Sequence, residues 1–134
     1  RMRRVFADTS FFVAMIANRD RHHRSAVEFM RGYRGQLLTT DFVVVELGNY
    51  LYAVKDRPFF ASIQRSLEND KDFAVVEASR ELLNRGIQLY LDRQDKKWSL
   101  TDCISFVVME EQGIGEALTS DGHFEQAGFT KLLK

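Results

Sequence analysis

Apolar residues along this chain gather in short compact runs separated by longer stretches in which they recur at helical spacing. Val5 to Ala7, Gln36 to Thr39, Phe73 to Val76 and Ala117 to Thr119 are the compact runs. Their length and polar borders predict buried strands. Between them, helices are predicted over Ser10–Ala17, His23–Tyr33, Asp41–Val54, from Pro58 through Leu67, Ser79–Arg93 and Ser99–Gln112. Thr40 suits the N-cap of the third helix and Pro58 the first turn of the fourth, while Gly113 and Gly115 stop the helix that begins at Ser99. A short helix over Gly122–Ala127 and a last strand over Phe129–Leu133 complete the reading. Strands alternating with helices of this length need crossover connections, so the pattern predicts an α/β fold with a mostly parallel sheet flanked by helices. The carboxyl ends of the strands then share one edge, where open parallel sheets bind ligands.

The 134 residues fit one compact domain spanning 1–134, and 45% hydrophobic with 28% charged residues is enough apolar material for a real core. Nineteen basic residues balance nineteen acidic ones. With no net field to draw the chain onto nucleic acid or an anionic membrane, any contact with nucleic acid must be local. Cys103 is the single cysteine, which excludes an intramolecular disulfide and a multi-cysteine zinc site and points to a reducing compartment. Apolar stretches fall short of the roughly 18 residues of a membrane span. Arg1, Arg3 and Arg4 are followed at once by Asp8, then by Asn18 and Arg19, which gives no signal-peptide pattern. The expectation is a cytoplasmic protein.

Four acids interrupt this apolar framework. Asp8 ends the first strand run, and Asp121 follows Ala117 to Ser120, so both fall at strand carboxyl ends. Glu46 lies beside the stripe Val43, Leu47, Tyr50 and Val54, and Asp102 opens an almost wholly apolar helix. Each has a local alternative. Asp8 is placed to cap a helix, Ser99 with Asp102 resembles a capping box, Asp121 beside Gly122 reads as a turn residue, and Glu46 is explained by exposure or an arginine partner. Taken together, two acids at strand ends and two in helical segments let distant parts of the chain meet around a cation. Oxygen donors without a cysteine cluster favour Mg²⁺ or Mn²⁺ over zinc. Paired divalent ions can activate a water and orient a phosphodiester. Such crowding also predicts that, without metal, at least one of these carboxyls titrates above its usual range, because like charges disfavour joint ionisation.

Other chemistry is less pointed. Arg19, Arg21, His22, His23, Arg24, Arg31 and Arg34 read equally as phosphate contacts and as a solvated helix face. Adjacent His22 and His23 cannot both face one site from a helix; His123, near Asp121, is the one histidine to watch as a metal ligand, although it reads first as a capping or packing residue. Lys96-Lys97-Trp98 pairs cations with an aromatic able to stack a base, although Trp98 also suits the core. Tyr50, Tyr52, Phe59 and Phe60 exceed what one helical stripe needs, which predicts a homodimer contact or a protein-binding groove. An aspartyl-phosphatase site would want a second aspartate two residues after Asp8, where Ser10 stands.

In this order, the segments resemble the PIN-domain ribonucleases, and among them the VapC-like toxins of toxin–antitoxin pairs. Val5-Phe6-Ala7-Asp8-Thr9-Ser10 is similar to the family's first-strand acid with its hydroxyl neighbour. His22-His23-Arg24-Ser25-Ala26 resembles the start of its second helix, and Thr39-Thr40 through Glu46 its second-strand exit and helical glutamate. Ser99-Leu100-Thr101-Asp102 resembles the third acidic motif, and Thr119-Ser120-Asp121-Gly122-His123-Phe124 with Gly128-Phe129 the closing one. The resemblance spans essentially the whole chain. It implies a three-layer PIN-like fold, Mg²⁺- or Mn²⁺-dependent endoribonuclease activity by a metal-activated water, and a protein antitoxin as partner. Asp8, Glu46, Asp102 and Asp121 would be the catalytic, metal-binding acids, with Thr9, Ser10 and Thr119 as polar helpers. Cys103 stands where alanine is common. Non-toxin RNA-processing nucleases and a catalytically silent module that binds RNA or protein remain as alternatives.

Overall fold

Five short strands build the centre of the molecule: β1 (Arg4–Ala7), β2 (Gln36–Thr40), β3 (Phe73–Val76), β4 (Glu116–Leu118) and β5 (Thr130–Lys131). The computed structural model describes residues 2–134, so Arg1 lies outside the described residues. All the strands are parallel, in the order β3-β2-β1-β4-β5. Phe6 pairs with Leu38 on one side and Ala117 on the other. A central parallel strand is covered on both faces and therefore needs apolar residues at every position. Val5, Phe6 and Ala7 accordingly have no exposed surface.

The connections are α1 (Thr9–Ile16) and α2 (His23–Gly32), α3 (Asp41–Tyr50) and α4 (Arg57–Asn69), α5 (Arg80–Asp92) and α6 (Leu100–Gln112), and α7 (His123–Gln126). Chain order first steps outward from β1 to β2 to β3, then returns across the sheet to β4 and β5. Parallel crossovers are right-handed, so reversing direction moves the helices to the opposite face: α1 to α4 cover one side and α5 to α7 the other. The result is a three-layer α/β arrangement. β1 and β4 flank the point where the strand order reverses, which is where such sheets open a crevice.

Local sequence sets the helix starts. Thr40 Oγ1 accepts the Val43 amide at 3.1 Å, and Ser79 Oγ accepts that of Leu82 at 3.0 Å. At α6 the capping box is complete: Ser99 Oγ accepts from the Asp102 amide at 3.0 Å and Asp102 Oδ2 from the Ser99 amide at 3.2 Å. Gly113, at φ 68°, ends that helix in the left-handed conformation glycine adopts without strain. Cys103 to Phe106, Val108 and Met109 are all buried, and α6 packs closely on α5 where Gly86 leaves no room for a Cβ against Ile104.

Two expectations need correction. The third helix ends at Tyr50, not Val54, because its buried face runs Val43, Leu47, Leu51 at steps of four. Leu51 turns inward as the cap, and a separate 3₁₀ turn holds Val54–Asp56, leaving Tyr50 and Val54 exposed. β5 is confined to Thr130–Lys131, although the Leu132 and Leu133 amides still donate to the Ala117 and Thr119 carbonyls.

Candidate active site

Asp8 follows β1 directly and occupies the N-cap position of α1, yet its carboxyl makes no capping hydrogen bond. Its Oδ2 instead accepts from Thr119 Oγ1 at 2.9 Å and from Ser10 Oγ at 3.3 Å. Thr119, fully buried at the exit of β4, also accepts the Asp121 amide at 3.0 Å, and Ser10 Oγ accepts the Ser120 amide at 3.1 Å. These hydroxyls tie the exits of β1 and β4 into one unit. Glu46, half-buried on α3, accepts from Thr9 Oγ1 at 2.5 Å. Asp102 is held at the start of α6 by the capping box, and Asp121 Oδ1 accepts the His123 amide at 2.9 Å. The capping reading of Asp102 and the turn reading of Asp121 therefore both hold. Neither prevents the carboxyls from facing the others.

All four acids line one open cleft of about 420 Å³ at the carboxyl edge of the sheet, together with Thr9, Ser10, Asp20, Tyr50, Lys97 and His123. Among the described residues, no lysine or arginine forms an ion pair with any of the four. Glu46 thus lacks the arginine partner that would have explained it away. Burial pushes the Asp8 carboxyl up to about 7, with the Thr119 hydrogen bond opposing and the charges of Asp102 and Glu46 adding to the rise. Asp102 is raised as well, mainly by burial and against a hydrogen bond from His123. A raised pKa was expected from the crowding of like charges. Desolvation turns out to be its first cause, because Asp8 and Asp102 are almost sealed from water, and the charges of the neighbouring acids add to it.

His123, the one histidine to watch in the sequence but read first as a capping or packing residue, stands beside the acids. Its Nδ1 lies 3.1 Å from Asp102 Oδ2 and 3.4 Å from Asp121 Oδ1, and ligand atoms of the three groups all lie within 4.8 Å of one another. The available signal was the Asp121-Gly122-His123 turn, which brings a side chain two residues on back beside the carboxylate. The other histidines serve structure: His23 Nδ1 is 2.7 Å from the Ala14 carbonyl, and His22 Nδ1 is 3.3 Å from that of Lys134. Trp98 is core, donating from Nε1 to Gln126 at 3.1 Å and meeting Phe106 edge-on. Phe60 also packs inward, against Gly48, and leaves the surface set.

The model of the PIN domain family matches residues 5–130. The chain is 26% identical over 131 residues to the 23S rRNA-specific endonuclease VapC20 of Mycobacterium tuberculosis, covering 96% of this chain and 97% of that protein. Its fold matches the crystal structure of M. tuberculosis VapC20, described as a sarcin-ricin loop cleaving toxin, with a TM-score of 0.87 at 22% identity over 97% of this chain and 99% of that one. It also matches FitAcB from Neisseria gonorrhoeae, with a TM-score of 0.68 at 12% identity over 97% and 96% of the two chains. A toxin–antitoxin complex from Klebsiella pneumoniae gives 0.63 at 18% identity over 88% and 87%. The reversal of strand order at β1 and β4 is thus part of a shared architecture, and the chain belongs to the PIN domain family, where it is VapC-like.

Proposed function

We propose that this protein is a divalent-metal-dependent endoribonuclease, the toxin of a toxin–antitoxin pair, which hydrolyses RNA phosphodiester bonds in the cleft of Asp8, Glu46, Asp102 and Asp121. The observation that carries the reading is the convergence of four carboxylates from four separate segments with no lysine or arginine ion-paired to any of them among the described residues. Such a set is costly unless a cation neutralises it. The donors fit Mg²⁺ or Mn²⁺, since they are carboxylate oxygens with one imidazole nearby and the one cysteine, Cys103, is buried in α6. When bound, the cation supplies the lowered water pKa and the charge stabilisation that phosphodiester hydrolysis requires.

The chain's own residues account for the rest. Thr119 and Ser10 fix Asp8 by hydrogen bonds to Oδ2, leaving its other oxygen for the cation. Thr9 fixes Glu46, and the capping box fixes Asp102 at the rigid start of α6. Lys97 is an exposed residue on the lining of the cleft, and a cation there would favour a substrate phosphate. RNA as substrate is supported by the similarity to an rRNA-specific endonuclease, and an antitoxin partner by the likeness to a chain of a toxin–antitoxin complex. An RNA substrate of this kind puts the activity in the cytoplasm, and no described helix is long and apolar enough to cross a membrane. Val45, Tyr50, Tyr52, Val54 and Phe59, between the middle of α3 and the start of α4, are large exposed apolar side chains that favour a homodimer.

The test is RNA cleavage by purified protein with Mg²⁺ or Mn²⁺ against single-stranded and loop-containing substrates. Asp8→Asn keeps the shape and the hydrogen bonds but removes a negative ligand, and it should lower the rate by on the order of 100-fold or more. If Asp8→Asn cleaves as fast as the parent, the mechanism is wrong. If the parent binds metal yet cleaves none of a broad RNA panel, a silent RNA- or protein-binding module is the better reading.

A further inference from the structure

We propose that His123 is itself a metal ligand through Nδ1, so that the Asp102–Asp121 end of the cleft is a mixed oxygen–nitrogen site selective for first-row transition divalent ions over Mg²⁺. The inference rests on the functional reading above and adds to it a ligand and a selectivity. Its basis is geometric. A cation about 2.1–2.2 Å from each ligand atom places neighbouring ligands of an octahedron about 3 Å apart and opposite ones a little over about 4 Å apart. Nδ1 of His123 stands 3.1 Å from Asp102 Oδ2 and 3.4 Å from Asp121 Oδ1. Those are the separations of adjacent corners around one ion.

The arrangement is built, not incidental. Asp121 Oδ1 accepts the His123 amide at 2.9 Å, a turn that fixes the carboxylate relative to the backbone carrying the ring. α7 begins at His123, and its next residue, Phe124, is fully buried against Phe6 and Phe106, which anchors the backbone carrying the imidazole. Asp102 is held from the other side by its capping box. The imidazole therefore reaches the two carboxylates from a backbone fixed by turn and core, where a flexible surface histidine would sample many positions.

The chemical consequence follows from donor type. Mg²⁺ takes oxygen ligands and gains little from imidazole, whereas Mn²⁺ and the later first-row ions accept nitrogen readily. His123→Asn puts an amide close to the place of Nδ1 and removes the imidazole. A purely hydrogen-bonded His123 would orient Asp102 for any ion alike.

Pulsed electron paramagnetic resonance of Mn²⁺ bound to the full-length protein reads ligation directly. The expected result is nitrogen coupling from a coordinated imidazole in the parent, lost in His123→Asn. Mn²⁺ affinity should fall about 10-fold or more in the variant while Mg²⁺ affinity, measured by competition, changes less than about 3-fold. Bound Mn²⁺ without nitrogen coupling, or an equal loss for both ions, overturns His123 as a ligand and leaves the nuclease reading standing. A parent that binds Mg²⁺ but not Mn²⁺ overturns the ligand and its selectivity alone, and one that binds neither ion overturns both readings. The parent spectrum alone decides ligation, so a poorly folded variant does not blunt the test.

Discussion

Asp8 is 5% exposed and still carries a carboxyl, so its titration is tied to the stability of the whole molecule. Its pKa stands near 7 in the folded protein against a reference of 3.8. Below about pH 4 the group is protonated in folded and unfolded chains alike. Between about pH 4 and pH 7 the unfolded chain ionises while the folded one keeps its proton, so this group destabilises the fold as pH rises, and the loss is complete above about 7. A rise from 3.8 to about 7 corresponds to ~4 kcal/mol at most. Asp8→Asn in chelator should therefore raise the unfolding free energy at pH 8 by ~2–4 kcal/mol and change it far less at pH 4, as urea titrations at the two pH values would read. Millimolar Mn²⁺ should reverse the order at pH 8, stabilising the parent and not the variant. No pH dependence of the difference would mean that Asp8 is ionised in the metal-free fold. The four acids themselves were legible in the sequence because each punctuates an apolar run. His123 was less so, since its role depends on a turn returning the ring to the carboxylate, and linear spacing carries no such distance.

Among the elements, α6 matters most to the site because its first turn holds Asp102 and its body is nearly all buried. It lies so close to α5 that a Cβ on Gly86 would collide with Ile104, two residues beyond Asp102. Replacing a helical glycine by alanine ordinarily gains up to about 1 kcal/mol. Here overpacking should win, so Gly86→Ala is expected to cost ~1–3 kcal/mol in urea denaturation and to weaken metal binding as the start of α6 shifts. A stabilised Gly86→Ala variant would show that the helices can part at no cost. Where a cap or breaker stands in the sequence, as at Thr40, Ser79, Ser99 and Gly113, the boundaries were legible to within a residue or two. The end of α3 was not. Tyr50 and Val54 share helical spacing with Val43 and Leu47, but Leu51 is buried instead, and nothing local distinguishes an inward leucine from an outward tyrosine one residue earlier.

At the scale of the molecule, zero formal charge means that RNA is not drawn in from a distance, so capture depends on what borders the cleft. Tyr50 belongs both to the cleft lining and to the exposed apolar set of Val45, Tyr52, Val54 and Phe59, at 60%, 61%, 74%, 78% and 47% exposure for Val45, Tyr50, Tyr52, Val54 and Phe59. Large apolar side chains left this open on a small surface favour association, and the simplest closed arrangement uses the same face on both chains. Because Tyr50 also lines the cleft, a two-fold pairing that buried it would bring the partner close to the cleft rim. Sedimentation velocity at micromolar concentration should thus find a dimer, and Tyr52→Glu combined with Val54→Glu should give a folded monomer, because two buried, unpaired carboxylates per chain oppose closure. Neither residue touches the acids, so metal affinity should persist in that monomer. A parent that sediments as a monomer would leave this face to another partner, and a dimer untouched by the double substitution would place the interface elsewhere.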